Sequence, residues 1–163
     1  MTESRLPPMN DYERSVLRNV EEFGWHCTSV FESEDNNNDE PPFSYSVGLY
    51  HSFQQPEFIV FGLDPGVAHS IISICANKFE AGEQLDLEQH SYDLINNFPC
   101  VFVRVPRDRY YDYVYSALWF YAEEDFPLYQ IVWPNKDGLF PWHPGAPESF
   151  RQWQPVLRQA CDT

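Results

Sequence analysis

Histidines are the residues whose chemistry spacing tests most directly, and this chain has five: His26, His51, His69, His90 and His143. None forms an HExxH, HxH or HxxxH pair, so no local zinc-type ligand set is present and no metal is expected. A GxSxG nucleophile elbow is absent, and Cys27, Cys75, Cys100 and Cys161 form no CxxC pair. The seven glycines are scattered, with neither GxGxxG nor GxxxxGKS/T, so nothing cradles a phosphate and no cofactor is implied. What remains is general acid–base chemistry assembled from distant segments. Glu57, at the start of an apolar run, would serve as acid or base if burial raised its pKa. Tyr45 and Gln130 would orient a substrate, and Trp133 and His26 would complete the pocket. Glu57 and His26 are therefore the candidate catalytic groups. Plainer roles stand beside these: a strand-start Glu57 that is exposed or pairs with backbone amides, and a His26 that is structural. His69 reads as a packed or capping-region histidine, and His51 lies just beyond a strand end.

A second kind of chemistry is binding. In FPLYQIVWPNKDGLFPWHPG, residues 126–145, Gln130 interrupts an apolar strand, and Trp133 and Trp142 sit among Pro134, Pro141 and Pro144. Such a stiff aromatic wall can clamp a planar ligand or anchor a protein partner, because Trp and Tyr supply contact area at low entropic cost. Its plainer reading is that the tryptophans close one end of the core. Tyr45, Gln130, Trp133 and Trp142 are the candidate binding residues.

These side chains must be positioned by elements that the pattern places as follows. Asn10 with Glu13 fits a capping box, and Tyr12, Val16, Val20 and Phe23 recur at helical spacing up to Gly24, predicting a helix over 10–23. Residues 25–31 read as a strand, and ESEDNNNDEPP at 32–42 as an acidic loop and the most mobile segment. FSYSVGLY at 43–50 alternates as a half-buried strand, with a bulge or close backbone approach at Gly48. Glu57–Leu63 is apolar on both parities, as a central strand covered on both sides must be. Asp64-Pro65 caps a helix that runs to Gly82. Residues 83–97 are polar, with at most a helical turn near Tyr92–Asn96. A strand over 100–105, a helix over 108–122, a strand over 128–133, a turn at Asn135–Gly138 and a closing helix bent at Pro155 complete the series. The sum is an α+β domain: a mixed, mostly antiparallel central sheet of about five strands with helices packed on it. Residues 1–9 form a loose tail, and 10–163 a single globular unit.

With 25 acidic and 10 basic side chains, the formal net charge is −15, which disfavours nucleic acid and anionic membrane as partners, since both need a basic face. A basic or neutral protein partner is favoured. The acidity is uneven. Residues 1–42 hold ten acids and three bases and 80–93 five acids and no base, whereas Arg104, Arg107 and Arg109 form the one basic cluster. The polar N-terminus, the lack of any ~18-residue apolar run and cysteines set in apolar stretches point to the reducing cytoplasm.

The ordered segments FGWHCTSV (23–30), FSYSVGL (43–49), PEFIVFGL (56–63), NNFPCVFVRVP (96–106), and ALWFY with FPLYQIVWPNKDGLFPW (117–142) resemble the bacterial domain-of-unknown-function family 4262. That resemblance spans about residues 10–157 and implies a small intracellular bacterial or phage protein, with no activity to carry over. A strand ending in VGL before a PE-hydrophobic strand is similar, more distantly, to suppressor-of-fused-like domains, which include toxin-binding immunity proteins. Two functions follow as expectations. One is a cytoplasmic protein-binding module, an inhibitor or immunity protein that covers a basic or neutral partner. The alternative is a small hydrolase or ligand-binding enzyme whose pocket collects Tyr45, Glu57, Gln130 and Trp133.

Overall fold

A computed structural model describes residues 7–30, 41–122 and 124–158. The acidic segment 31–40, Glu123, Cys161 and most of the N-terminal tail lie outside the described residues. Helix α1 spans Asp11–Phe23; Asn10 accepts a hydrogen bond from Glu13 N at 2.8 Å, and Gly24 ends the helix in the left-handed region at φ 91°. The Glu13 side chain reaches Met9 N rather than Asn10 N, so half of the expected capping box forms. Strands β1 (His26–Val30) and β2 (Phe43–Val47) follow, then the short helix α2 (Leu49–Phe53) and strand β3 (Glu57–Phe61). Helix α3 (Pro65–Glu80) starts as expected, with Asp64 accepting from Gly66 N at 3.1 Å and proline in the first turn.

Strands β4 (Ser91–Ile95) and β5 (Phe98–Arg104) come next, then a 3-10 turn at Arg107–Arg109 and helices α4 (Tyr110–Tyr113) and α5 (Tyr115–Phe120). Strand β6 (Leu128–Val132) and helix α6 (Glu148–Trp153) complete the series, the latter stopping before Pro155. The single helix expected over 108–122 is broken at Val114, whose φ of −105° and ψ of 58° are not helical.

The sheet has six strands in the order β1-β2-β3-β6-β5-β4, one more than expected. The addition is β4, in the stretch expected to be polar loop with a helical turn; of its five residues only Leu94 is buried, so no apolar alternation marks it. Every pairing is antiparallel except the central β3–β6 pair, which is parallel. The fold is thus α+β with a mixed, mostly antiparallel sheet.

Period-two alternation then separates two cores. Ile59 and Phe61 face the layer made by α1, α5 and the C-terminal segment, where Val16, Val20, Leu118, Phe120 and Leu157 pack. Phe58 and Val60 face α3, against Ile71, Ile72, Cys75 and Phe79. Each such side chain contributes about 1.5–3 kcal/mol by leaving water, which is why β3 is apolar on both parities. Gly48, at φ 110°, fulfils the expected close approach: a Cβ there would stand 3.0 Å from Gly24 O and 3.1 Å from Trp25 Cα. Among the described residues no helix is long and apolar enough to cross a membrane.

Candidate functional site

Glu57 is fully buried at the start of β3, and its carboxylate is saturated with donors. Ser46 Oγ donates to it at 2.7 Å, Gly48 N at 3.0 Å, and Leu49 N and Tyr50 N at 3.2 Å each. Tyr121 adds a short hydroxyl hydrogen bond. Three of these donors are first-turn amides of α2 and its preceding residue, groups that a helix leaves without internal partners. Glu57 is the cap of α2, supplied from later in the chain. Burial pushes its pKa up, while the hydroxyl and amide donors oppose that shift. Burial and the neighbouring carboxylate push the Tyr121 phenol far up as well, so it stays a donor. A small cleft of about 290 Å³ is lined by Tyr50, His51, Phe120 and Tyr121 among others; Glu57 does not line it.

The other sequence-chosen residues are also held by structural bonds. Tyr45 is buried and its hydroxyl accepts from Ser116 N at 3.0 Å. Gln130 donates to Pro155 O at 2.7 Å and accepts from Leu157 N at 2.7 Å, so it fastens the C-terminal segment to the sheet. Trp133 gives its indole N–H to Phe61 O at 2.7 Å, and its backbone is bracketed by the Gln154 amide at 2.9 and 2.8 Å. Trp142 is half-exposed, stacked on Phe140 at 5.0 Å with Arg158 over its ring at 4.6 Å. Tyr45 and Gln130 share one cross-sheet row, Thr28–Tyr45–Ile59–Gln130–Val103, but Ile59 stands between them. None of Tyr45, Glu57, Gln130 and Trp133 lines the clefts of about 430, 320 and 290 Å³ among the described residues.

His26 does line one. The 430 Å³ cleft lies between the C-terminal half of α1, the start of β1 and one face of α3. Helix α1 contributes Asn19 and Phe23, four residues apart and hence on one face. Trp25, His26 and Cys27 form the back wall, and α3 contributes His69, Ser73, Asn77 and Glu80, a stripe at helical spacing. Asn19 Nδ2 lies 2.9 Å from His26 Nδ1, and His26 Nε2 lies 3.0 Å from Tyr12 Oη, whose proton goes to Thr28 Oγ1 at 2.6 Å. An amide nitrogen only donates, so Nδ1 accepts and Nε2 carries the proton. The imidazole is neutral: burial, helped by His69, lowers its pKa from 6.5 to about 4. His69 is exposed rather than packed inside, its ring stacked on Trp25 at 5.4 Å and 24°.

Cys27, half-buried in the same wall, has its thiol pushed up to about 11 by burial, which leaves it protonated and a poor nucleophile. The buried Cys75 and Cys100 thiols are pushed up to about 12. Among the described residues no group of three or more His, Cys, Asp or Glu side chains is arranged to hold a metal ion. Ser73 Oγ lies 3.4 Å from His69 Nδ1 on the exposed side of α3, a long contact; the rest of the cleft offers recognition by aromatic surface, amides and one carboxylate.

Sequence reasoning singled out His26 but not this cleft. The signal was present as the stripe His69, Ser73, Asn77 and Glu80, which in isolation looks like an ordinary solvated helix face.

A family model described as Domain of unknown function (DUF4262) matches residues 19–147, which include β1, β2, β3, β6 and α3. No curated protein and no solved structure matches the chain significantly. The segments that line the cleft and those that hold Glu57 both fall inside the matched span, and over that span the chain belongs to the DUF4262 family.

Proposed function

We propose that the domain is a protein-binding module that engages a basic partner through the cleft between α1, β1 and α3. The observation that carries this reading is the contrast between the two sets of polar groups. Glu57, Tyr45, Gln130 and Trp133, the candidates within and beside the sheet, bond to backbone amides and carbonyls. Around the cleft, His69, Asn77 and Glu80 on α3 are exposed, with His26 buried and bonded behind them, and the space measures about 430 Å³, within the usual range of roughly 300–1,000 Å³ for ligand sites. The net charge of −15 supports a basic partner, since electrostatic complementarity speeds encounter and suppresses like-charged competitors. Covering a partner's basic face is how an inhibitor or immunity protein would act. The free cysteines suit a reducing cytoplasm.

The test is capture of partners from a native lysate with the full chain as bait, followed by titration of the complex with salt. A stoichiometric partner whose affinity falls steeply between low and physiological ionic strength is the expected result. A complex indifferent to salt, or no stoichiometric partner, overturns the reading.

A further inference from the structure

We infer that the cleft between α1, β1 and α3 is a receptor for an arginine side chain of the partner, the guanidinium lying against the Phe23 and Trp25 surfaces and pairing with Glu80. The inference rests on the binding-module reading and narrows it to one side chain. Guanidinium is planar, weakly hydrated and rich in donors, so it needs aromatic surface beside a carboxylate and neutral acceptors. The cleft offers these together. Phe23 is 60% exposed at the end of α1, so its ring is accessible on the cleft wall. Asn77 and Ser73 supply polar atoms on α3, and no lysine or arginine lines the space.

Glu80 is the second observation. It is the last residue of α3, where the helix dipole presents its negative end and a carboxylate is disfavoured. Among the described residues it makes no ion pair that would compensate, while its neighbour Lys78 is engaged by Asp93 at 3.0 Å. A carboxylate placed against the dipole, unpaired, and facing an aromatic cleft creates a negative potential that a bound cation relieves. Among the other ionisable groups of the lining, Cys27 is a neutral thiol, the proton order through Asn19, His26 and Tyr12 keeps His26 uncharged, and His69 lies stacked on Trp25 beside Ser73. A bare metal cation is a poor occupant, because no cluster of metal-ligating side chains is present among the described residues.

The experiment is an NMR titration of the isotopically labelled full chain with the peptide acetyl-Gly-Arg-Gly-amide, at about 0.15 M salt so that diffuse attraction is screened beyond ~8 Å. The matched probe carries citrulline, which keeps the shape and loses the charge. Expected are shifts concentrated on the Trp25 indole and the Asn19 and Asn77 side-chain amides. Citrulline and the E80Q variant should each bind about tenfold more weakly, a loss of one charge-assisted contact. F23A should weaken binding while leaving the fold intact, since Phe23 is exposed. Equal binding of the citrulline peptide, no loss in E80Q, or shifts scattered over the acidic surface overturns the arginine site. The two readings fail separately. A salt-sensitive captured partner held equally well by E80Q and F23A sinks the arginine site alone. Specific arginine-peptide binding at the cleft with no captured partner supports the site and counts against the module.

Discussion

Tyr121 donates its hydroxyl to the carboxylate of Glu57 across 64 residues of sequence, and in doing so joins the end of α5 to the start of β3. The bond seals a carboxylate that already holds three backbone amides and Ser46. A group so placed organises the backbone around it. It is a positioning group for the fold, inaccessible to a substrate in this conformation.

Replacing Glu57 with glutamine keeps the shape but turns an amide N–H2 toward amide donors. The expected cost is about 2–4 kcal/mol of folding stability, since buried donors left unmatched lose about 1–3 kcal/mol each after partial relaxation. Tyr121→Phe should cost about 1–2 kcal/mol, and the double variant less than the sum, because both remove the same contact. Urea unfolding of the four proteins of this cycle measures it; strict additivity would contradict the pairing.

Acid should weaken the fold through His26. Its folded pKa of about 4 lies below the ordinary 6.5, so the unfolded chain binds the extra proton between those values. Stability is therefore full above about pH 6.5 and is lost as pH falls toward 4, with a slope of at most about 1.4 kcal/mol per pH unit. Glu57 acts with the opposite sign. Its raised pKa means the folded state holds a proton more tightly, which adds stability as pH falls through the folded value toward 4.5. His26→Gln should flatten the loss between pH 6.5 and 4 and expose the Glu57 contribution. Stability curves against pH for both proteins decide it.

Gly62 has φ 80°, and a Cβ there would stand 2.9 Å from Trp153 Cδ1, 3.0 Å from Trp153 O and 3.1 Å from Trp133 Cζ2. Trp153 also gives its indole N–H to Gly62 O at 2.9 Å, so the ring has little freedom to retreat. Gly62→Ala combines backbone strain with a clash and should destabilise by more than about 2 kcal/mol. A red shift of tryptophan emission in the native state would report the displaced indoles.

Gln130→Leu removes both side-chain bonds to Pro155 and Leu157 while keeping most of the volume. The expected result is faster hydrogen exchange at the Leu157 amide by about tenfold or more, corresponding to roughly 1.4 kcal/mol of lost protection. Amides in β3 should change far less. Uniform acceleration across the sheet would show instead that Gln130 supports the whole fold.

Helices α1 and α3 were legible in sequence because their stop and start signals are local: Asn10 and Asp64 accept from amides, and Gly24 donates to the Val20 carbonyl, all within a few residues. Helix α2 was not, because its capping carboxylate belongs to Glu57, beyond the helix and recruited only by the tertiary fold. The edge strand β4 was hidden because only Leu94 of SYDLI is buried, which leaves the segment without an apolar rhythm. The site residues divide in the same way. The polar character of Glu57 and Gln130 within apolar strands was visible, but whether such a group serves a substrate or the backbone depends on partners 7 to 64 and 25 to 27 residues away. The cleft needs α1 and α3 brought to the same end of the sheet, a relation that periodicity does not carry.

The lone parallel pairing between β3 and β6 divides the sheet into two antiparallel halves, β1-β2-β3 and β6-β5-β4, that meet along a seam from Glu57–Leu128 to Ile59–Gln130. Each half can zip from neighbouring chain, whereas the seam joins residues about 70 positions apart and must await closure of a long loop. Docking of the halves is then the step expected to be slowest in folding, and Glu57 and Gln130, buried at the seam's ends, tie it to α2 and to the C-terminal segment.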